Sequence, residues 1–449
     1  MKLTTLLSSA AALAASFFPA ATALQAKDLT PPVQVRIELD RDRLAAETEE
    51  TAIVKVRLDG ARRLAPENRP PINLALVIDR SGSMSGDKIR HAREAALAAI
   101  SRLGPDDLVS LIAYDSDVQT LVPACRVGTG EHLVRAIQGL EVGGNTALFA
   151  GVSQGASEVR KNSEDTRYSD RVILLSDGMA NVGPSSPDEL ARLGAALMKE
   201  GISVSTIGLG LGFNEDLMTR LAQRSDGNTY FVESSVDLPR IFQAELGDVL
   251  NIVARRVVVE VVFPEGVRPR NLIGREGRVD GQKVSLELNQ LYGGQEKFAL
   301  IEVQVAPRAP GSELRIAEAR VRYEDAVAQK TASASASRTV TFTSRRDEVV
   351  RSANFAVQAD YARNVLAEAK DRAVALADAN RKEEAAAQLR EKAESLRAMA
   401  APYGNASVAA VASESMDEAE ALRRDGMDNA RRKTYRAESV QVKTQQSSR

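Results

Sequence analysis

The feature that most constrains the fold is the regular alternation of short apolar runs with amphipathic segments between Ile72 and Leu250. Continuous apolar runs such as Leu74 to Ile78 are typical of strands in a parallel sheet, because such a sheet is covered by helices on both faces. The segments between them, such as Asp87 to Leu103, have the 3.6-residue period of a helix. This alternation predicts an α/β domain with a doubly wound, mostly parallel sheet.

The flanking segments have a different period. Val33 to Leu58 contains two strands with alternating apolar residues, and the period of two returns after Ala254 in six or seven short segments. The later segments predict a β-sandwich. Because an isolated hairpin is marginally stable in water, we expect the two early strands to join that sandwich. The α/β domain is then an insertion into it.

The C-terminal part is rich in Ala, Glu, Arg, Lys and Leu. It predicts a helical hairpin from Val349 to Leu376 and from Lys382 to Met399, with a third helix near Ser413 to Asp425. The sequence is compatible with two roles for the hairpin: it packs on its own domain, or it binds a partner. The predicted boundaries are a signal peptide at 1–23, N-terminal sandwich strands at 30–68, the α/β domain at 72–250, the sandwich at 254–345, a helical region at 346–428 and a disordered basic tail at 429–449.

The N-terminus has the pattern of a secretory signal peptide. Lys2 precedes an apolar stretch from Leu6 to Phe18, and the small residues Ala21 and Ala23 predict cleavage after Ala23. The apolar stretch is too short and too interrupted for a membrane anchor, and we expect no later transmembrane segment. The mature chain is therefore predicted to be periplasmic or secreted. The basic tail predicts a solvated end, with weak attraction to an anionic envelope surface as the alternative.

Composition excludes several classes of function. The 449 residues include 59 Lys and Arg against 61 Asp and Glu, so no general positive field favours nucleic acid. One Cys and two His exclude a disulfide framework and the Cys- or His-rich zinc sites. We expect His91 and His132 to be surface or helix-end residues, and Cys125 to be either a small buried residue or an exposed thiol. Any metal must therefore be bound by oxygen ligands.

Five such ligands follow the predicted strands. Asp79, Ser81 and Ser83 come directly after the first buried strand, Thr146 lies in a glycine-rich loop before a helix, and Asp177 follows another strand. Sites in doubly wound sheets lie beyond the carboxyl ends of the strands, so these side chains are expected to converge. Capping of the following helix explains one of the three loops but not the other two.

These residues resemble the metal-ion-dependent adhesion site of the von Willebrand factor type A domain, with the pattern D-x-S-x-S, a Thr and an Asp. The resemblance covers Ile72 to Leu250. It implies that the two Ser and the Thr contact the metal while the Asp residues act through water. The wider arrangement is similar to exported bacterial members, and to the domain order of inter-alpha-trypsin inhibitor heavy chains and calcium-activated chloride channel regulator-like proteins.

Two carboxylates and three hydroxyls suit Mg²⁺ better than a Ca²⁺ cage, with Ca²⁺ or Mn²⁺ as alternatives. The resemblance implies a protein-binding module in which the cation coordinates an Asp or Glu of a partner protein. A scaffold or channel-associated regulator, whose metal only stabilises the fold, is the second hypothesis. A metal-dependent hydrolase is the third, and the motif loops contain no His, Cys or Lys base for it. The effect of Arg80 beside the motif is open.

Overall fold

The computed structural model describes residues 31–62 and 69–446. The predicted signal peptide at 1–23 therefore lies outside the described residues, as does part of the segment at 30–68. Among the helices that the structure describes, none is long and apolar enough to cross a membrane.

The α/β domain contains a six-stranded sheet in the order β6-β5-β4-β7-β8-β9. All neighbours are parallel except β5 and β6. Helices α1, α2 and α6 pack on one face and α3, α4 and α5 on the other, which gives two apolar cores. The strands are β4 (Ile72–Asp79), β5 (Leu108–Tyr114), β6 (Val118–Arg126), β7 (Ser169–Ser176), β8 (Ser203–Leu209) and β9 (Thr229–Val232). The helices are α1 (Asp87–Ile100), α2 (Glu131–Gln138), α3 (Leu148–Arg160), α4 (Pro187–Glu200), α5 (Glu215–Arg224) and α6 (Leu238–Val249).

The remaining strands form two sheets that enclose one apolar core. Their orders are β1-β3-β14-β11 and β12-β13-β10-β15-β16-β2. Because β3 pairs with both β1 and β14, the N-terminal strands belong to the later sandwich, and the α/β domain is inserted in it. The predicted fold class is confirmed. These strands are β1 (Val33–Leu39), β2 (Arg43–Ala45), β3 (Glu50–Gly60), β10 (Ile252–Val262), β11 (Val267–Ile273), β12 (Arg278–Asp280), β13 (Lys283–Tyr292), β14 (Glu296–Val305), β15 (Glu313–Asp325) and β16 (Lys330–Thr343).

Five helices follow the sandwich, and the last four of them share an apolar core of their own. The first predicted helix is divided into α7 and α8, because the side chain of Asn354 accepts a hydrogen bond from the N–H of Val357 and caps a new helix. The turn between α8 and α9 contains Asn380 with a φ of 59°. The helices are α7 (Arg346–Arg351), α8 (Phe355–Asp378), α9 (Lys382–Ala400), α10 (Ala406–Asp425) and α11 (Asn429–Thr444).

The prediction of a disordered tail from 429 is wrong, since α11 packs against α5, α8 and β9. Its basic residues are paired with acids that are far away in the sequence. Lys433 donates to the carbonyl of Phe213 at 2.6 Å and pairs with Glu215. Arg436 bridges Asp216 and Asp371 at 2.8 and 2.9 Å. Within residues 429–446, Lys433 and Arg436 are therefore neutralised inside the fold and do not belong to a solvated basic tail.

We expect Lys433→Met to lower the free energy of unfolding by about 3 kcal/mol, because a buried acid loses one of its cations. Equilibrium denaturation in urea measures the change. Addition of Glu215→Gln should restore part of the loss, because it removes the carboxylate left without that partner.

Arg424→Met is the matched control, since the Arg424 side chain pairs with Asp425 at the surface. It should leave the stability unchanged. An equal loss in both variants would contradict the assignment of α11 as a helix fastened by buried ion pairs.

Candidate metal centre

The first loop of the site begins where β4 ends. A single turn of 3₁₀ helix, Gly82–Met84, follows Asp79, and α1 begins after Gly86, whose φ is 76°. Met84 is fully buried in the apolar core on one face of the sheet. This anchor fixes the turn, so that the polar residues on either side of it are held at the carboxyl end of β4.

The second and third loops are hydrogen-bonded to the first and to each other. The N–H of Gly143 donates to the carbonyl of Arg80 at 2.9 Å. The N–H of Thr146 donates to Oδ1 of Asn181, also at 2.9 Å, and Asn181 lies in the loop that begins with Asp177. The backbone therefore holds all three loops at one edge of the sheet.

Four of the five predicted residues form a continuous hydrogen-bonded chain. The backbone N–H of Ser81 donates to Oδ1 of Asp79 at 2.8 Å. The hydroxyls of Ser81 and Ser83 are 3.0 Å apart, and the Ser83 hydroxyl donates to Oδ1 of Asp177 at 2.7 Å. The first and third loops are thus joined through their polar side chains.

The fifth residue, Thr146, faces the same space, as the surroundings of Gly178 show. A Cβ atom at Gly178 would lie 3.0 Å from Oγ1 of Thr146, 3.4 Å from Oγ of Ser83 and 3.8 Å from Oγ of Ser81. Three hydroxyl oxygens from two loops therefore surround one point beside Asp177. The structure brings all five predicted residues together.

Asp79 has two further partners that the sequence analysis missed. Its Oδ2 accepts hydrogen bonds from the hydroxyl of Ser176 at 2.7 Å and from that of Tyr114 at 3.4 Å. Burial raises the pKa of the Asp79 carboxyl, against the hydrogen bonds from Ser81 and Ser176 that lower it. Burial, together with the charge of Asp79, also raises the pKa of Tyr114 well above its usual value. Both partners come from neighbouring strands, a relation that sequence spacing does not show.

Lys88 is the third residue that sequence reasoning missed. It lies in the first turn of α1, outside the motif loops, and its ammonium group pairs with Oδ2 of Asp177. Lys88 follows Ser83 by five residues and lies at the start of the helix that leaves the site. This position in the sequence could have indicated that its side chain is near the site. Asp177 is buried, so this single cation balances a carboxylate that is removed from water.

Arg80, which lies beside the motif residues, contacts the segment between β5 and β6. Its Nε lies 3.0 Å from Oδ2 of Asp115, and it donates to the side chain of Gln119 at 3.3 Å. The charge of Arg80 is thus balanced by an acid in the connection between β5 and β6.

The two histidines have other partners. Nδ1 of His91 lies 2.7 Å from Oγ of Ser235, and His91 is buried, so the expectation that it is a surface or helix-end residue is wrong. It lies where α1 meets the 3₁₀ turn Ser235–Asp237. Nε2 of His132 lies 3.3 Å from the half-buried thiol of Cys125.

The donor set fits a hard cation. Within residues 31–62 and 69–446, no group of three or more His, Cys, Asp or Glu side chains is placed to hold a metal. The three hydroxyls around Gly178 would supply the further oxygen donors that a cation needs beside the two carboxylates. Hydroxyl and carboxylate oxygens are the ligands that Mg²⁺ and Ca²⁺ prefer.

This fold and this site define an α/β domain with an oxygen-lined site at the switch point of its sheet. The family described as von Willebrand factor type A domain matches residues 73–244. The chain therefore contains a von Willebrand factor type A domain. Domains of this family mediate protein–protein interactions, are generally not enzymes and commonly bind a divalent metal at this site.

Known proteins are similar to part of the chain. An uncharacterized protein of Synechocystis, sll0103, is 28% identical over 279 residues, which are 59% of this chain and 64% of that protein. Inter-alpha-trypsin inhibitor heavy chain H3 of Pongo abelii is 30% identical over 210 residues, which are 45% of this chain and 24% of that protein. The chain thus spans less than two thirds of either relative.

A solved structure of a von Willebrand factor type A protein from Catenulispora acidiphila has the same fold. Its TM-score is 0.65 at 18% identity, with 84% of this chain and 88% of that chain covered. The coverage extends well beyond residues 73–244, which the family matches.

We expect Ser176→Ala to destabilise the protein by about 2 kcal/mol, because a buried carboxylate loses a hydrogen bond from a neutral donor. The measurement is urea denaturation in the presence of a chelator, so that no cation contributes. Ser163→Ala removes an exposed hydroxyl that donates to a helix-end carbonyl, and it should change little. Equal effects of the two substitutions would show that Ser176 does not stabilise Asp79.

Proposed function

We propose that the chain is a metal-dependent protein-binding module for adhesion or assembly in the bacterial cell envelope. A divalent cation, Mg²⁺ before Ca²⁺ or Mn²⁺, joins its site to an Asp or Glu of a partner protein. One observation carries the proposal: the hydroxyls of Ser81, Ser83 and Thr146 lie within 4 Å of one point beside a buried carboxylate.

The charges of the site favour an acidic partner. Ser81, Ser83 and Thr146 would hold the cation through neutral oxygens, with Asp79 and Asp177 nearby. One of these two carboxylates is already paired with Lys88. A divalent cation would therefore keep part of its charge, which an incoming carboxylate neutralises. When bound, the metal supplies a positive charge and an open coordination position.

The same ion pair argues against a purely structural metal. Because Lys88 already balances Asp177, the buried carboxylate does not depend on a second cation. A scaffold whose metal only stabilises the fold stays the alternative function. It predicts that partner binding survives loss of Thr146 or Asp177, whereas our proposal requires that it is lost.

The proposed location rests on the sequence of residues 1–23, which has the pattern of a cleaved signal peptide. Export would place the protein in the periplasm or outside the cell. Mass spectrometry of the mature protein tests this point, since we expect an N-terminus at Leu24.

Magnesium should raise the melting temperature of the wild-type protein, because a ligand that binds the folded state stabilises it. At a concentration about 100 times Kd the gain is about 2.7 kcal/mol. Asp79→Ala and Gly178→Ala should each remove this shift. The first deletes a carboxylate, and the second places a methyl group among the three hydroxyls.

Gly143→Ala is the control for Gly178→Ala. It lies in the same group of loops, but its added Cβ would meet nothing within 4 Å. It should keep the full magnesium shift. Circular dichroism without metal verifies that each variant is folded, and a full shift in folded Gly178→Ala would refute the site.

Lys88→Met should tighten cation binding by about tenfold, because a fixed positive charge beside Asp177 is removed. Isothermal titration calorimetry with MgCl₂ measures the change. Arg90→Met, on the same helix, removes a cation that pairs with the exposed acids Asp87 and Glu94 and should leave the affinity unchanged. Weaker binding by Lys88→Met would show that Lys88 supports the site rather than competing with the metal.

A further inference from the structure

We infer that the acidic residue of the partner is flanked by apolar side chains, which pack on four exposed apolar residues around the metal centre. This inference rests on the proposed function. The four residues form what we call the apolar rim: Val142, Met179, Leu211 and Val236.

The apolar rim is confined to one edge of the α/β domain. In the described part of the chain nine large apolar side chains are exposed, and four of them belong to residues 72–250. All four of these lie on loops at the carboxyl ends of the strands, where the five oxygen ligands are. The other five are in the sandwich or the C-terminal helices: Val262, Val279, Val327, Phe355 and Met399.

Two members of the rim lie on the loops that carry the proposed ligands. Val142 is in the connection between α2 and α3, four residues before Thr146, and Met179 is two residues after Asp177. Their exposed fractions are 40% and 55%. These two exposed side chains therefore lie on the same loops as Thr146 and Asp177.

The other two rim residues lie in the connections that follow β8 and β9. Leu211 precedes Gly212, at which a Cβ would approach the carbonyl oxygen of Asp177 to 2.8 Å. Val236 follows Ser235, whose hydroxyl meets His91 of α1. Their exposed fractions are 48% and 69%.

The loops of the rim are already held in place. The N–H of Gly210 donates to the carbonyl of Val232 at 2.8 Å, which joins the loops after β8 and β9. The hydrogen bonds from Gly143 to Arg80 and from Thr146 to Asn181 fasten the two others. Preorganised loops lose little conformational freedom on binding, so burial of the rim contributes to affinity.

The apolar character of the rim determines which residues are favoured on either side of the partner's Asp or Glu. A carboxylate on a polar segment would bind the cation but leave the four apolar side chains in water. A carboxylate flanked by Leu, Ile, Val or Phe buries them, and each well-buried aliphatic side chain favours binding by a factor of ten or more. Exclusion of water also strengthens the attraction between cation and carboxylate. The partner is therefore a protein segment with an acid between apolar residues.

The test compares two fluorescein-labelled peptides, Gly-Gly-Leu-Asp-Leu-Gly-Gly and Gly-Gly-Ser-Asp-Ser-Gly-Gly, by fluorescence anisotropy with excess magnesium or with a chelator. The wild-type full chain should bind the Leu-flanked peptide at least about tenfold more tightly, and only with magnesium. A variant with Val142→Ser, Met179→Ser and Leu211→Ser should lose this preference. It should keep the magnesium-induced melting shift.

Val279→Ser with Val327→Ser is the matched control, because both residues are exposed in the sandwich region. This variant should keep the preference. Equal affinity of the wild type for the two peptides, binding of neither, or an unchanged preference in the rim variant would each overturn the inference. If magnesium still raises the melting temperature of the wild-type protein when one of these results is obtained, the metal site is supported and only the inference about the apolar rim is refuted. Loss of the shift in the wild type removes the proposed function itself.

A third arm uses vesicles of phosphatidylserine and phosphatidylcholine, since a lipid phosphate is another anion that a cation could hold. We expect no magnesium-dependent cosedimentation. If the wild-type protein cosediments with the vesicles and the rim variant does not, the rim binds a membrane surface instead of a protein segment. That result would overturn the inference.

Discussion

The site depends on the parallel pairing of β4 with β7. Ile78 is paired with Leu175, so Asp79 and Ser176 leave the sheet side by side. The Ser176 hydroxyl then donates to the Asp79 carboxylate, and the next residue, Asp177, faces the serines of the first loop. Since β5 lies on the other side of β4, this is the point where the order of strands reverses. A change of register by one residue would separate the two carboxylates.

The sandwich leaves this edge of the α/β domain free by occupying the opposite one. Arg171, near the amino end of β7, is fully buried and donates to Gln290 of β13 at 3.1 Å. Asn289 of the same strand donates to Ser203 at the start of β8, at 2.6 Å. Insertion of the domain thus fixes its amino edge against the sandwich. The carboxyl edge, with the five predicted ligand residues and the apolar rim, is not the edge that the sandwich covers.

Periodicity and one motif were enough to predict the fold class and to select the five residues that converge. The sequence could not show Ser176 or Tyr114 as partners of Asp79, because strand pairing determines which side chains meet across the sheet. Nor could it show that Lys88 reaches Asp177 from the following helix. The basic tail was misread for the same reason: Lys433 finds its acid 218 residues away, in α5. Local patterns predict elements, whereas buried ion pairs depend on contacts between distant segments.

These ion pairs also connect the end of the chain with the region of the site. Lys433 donates to the carbonyl of Phe213, which is two residues after Leu211 of the apolar rim. The ring of Phe213 packs 5.9 Å from that of Phe231 in β9, between centroids. The connection between β8 and α5 is therefore held from α11 as well as from the sheet. Near-balanced net charge is compatible with recognition of an acidic partner under this arrangement. Lys433 and Arg436 pair with acids inside the molecule, and a single bound cation would provide the positive charge at the site.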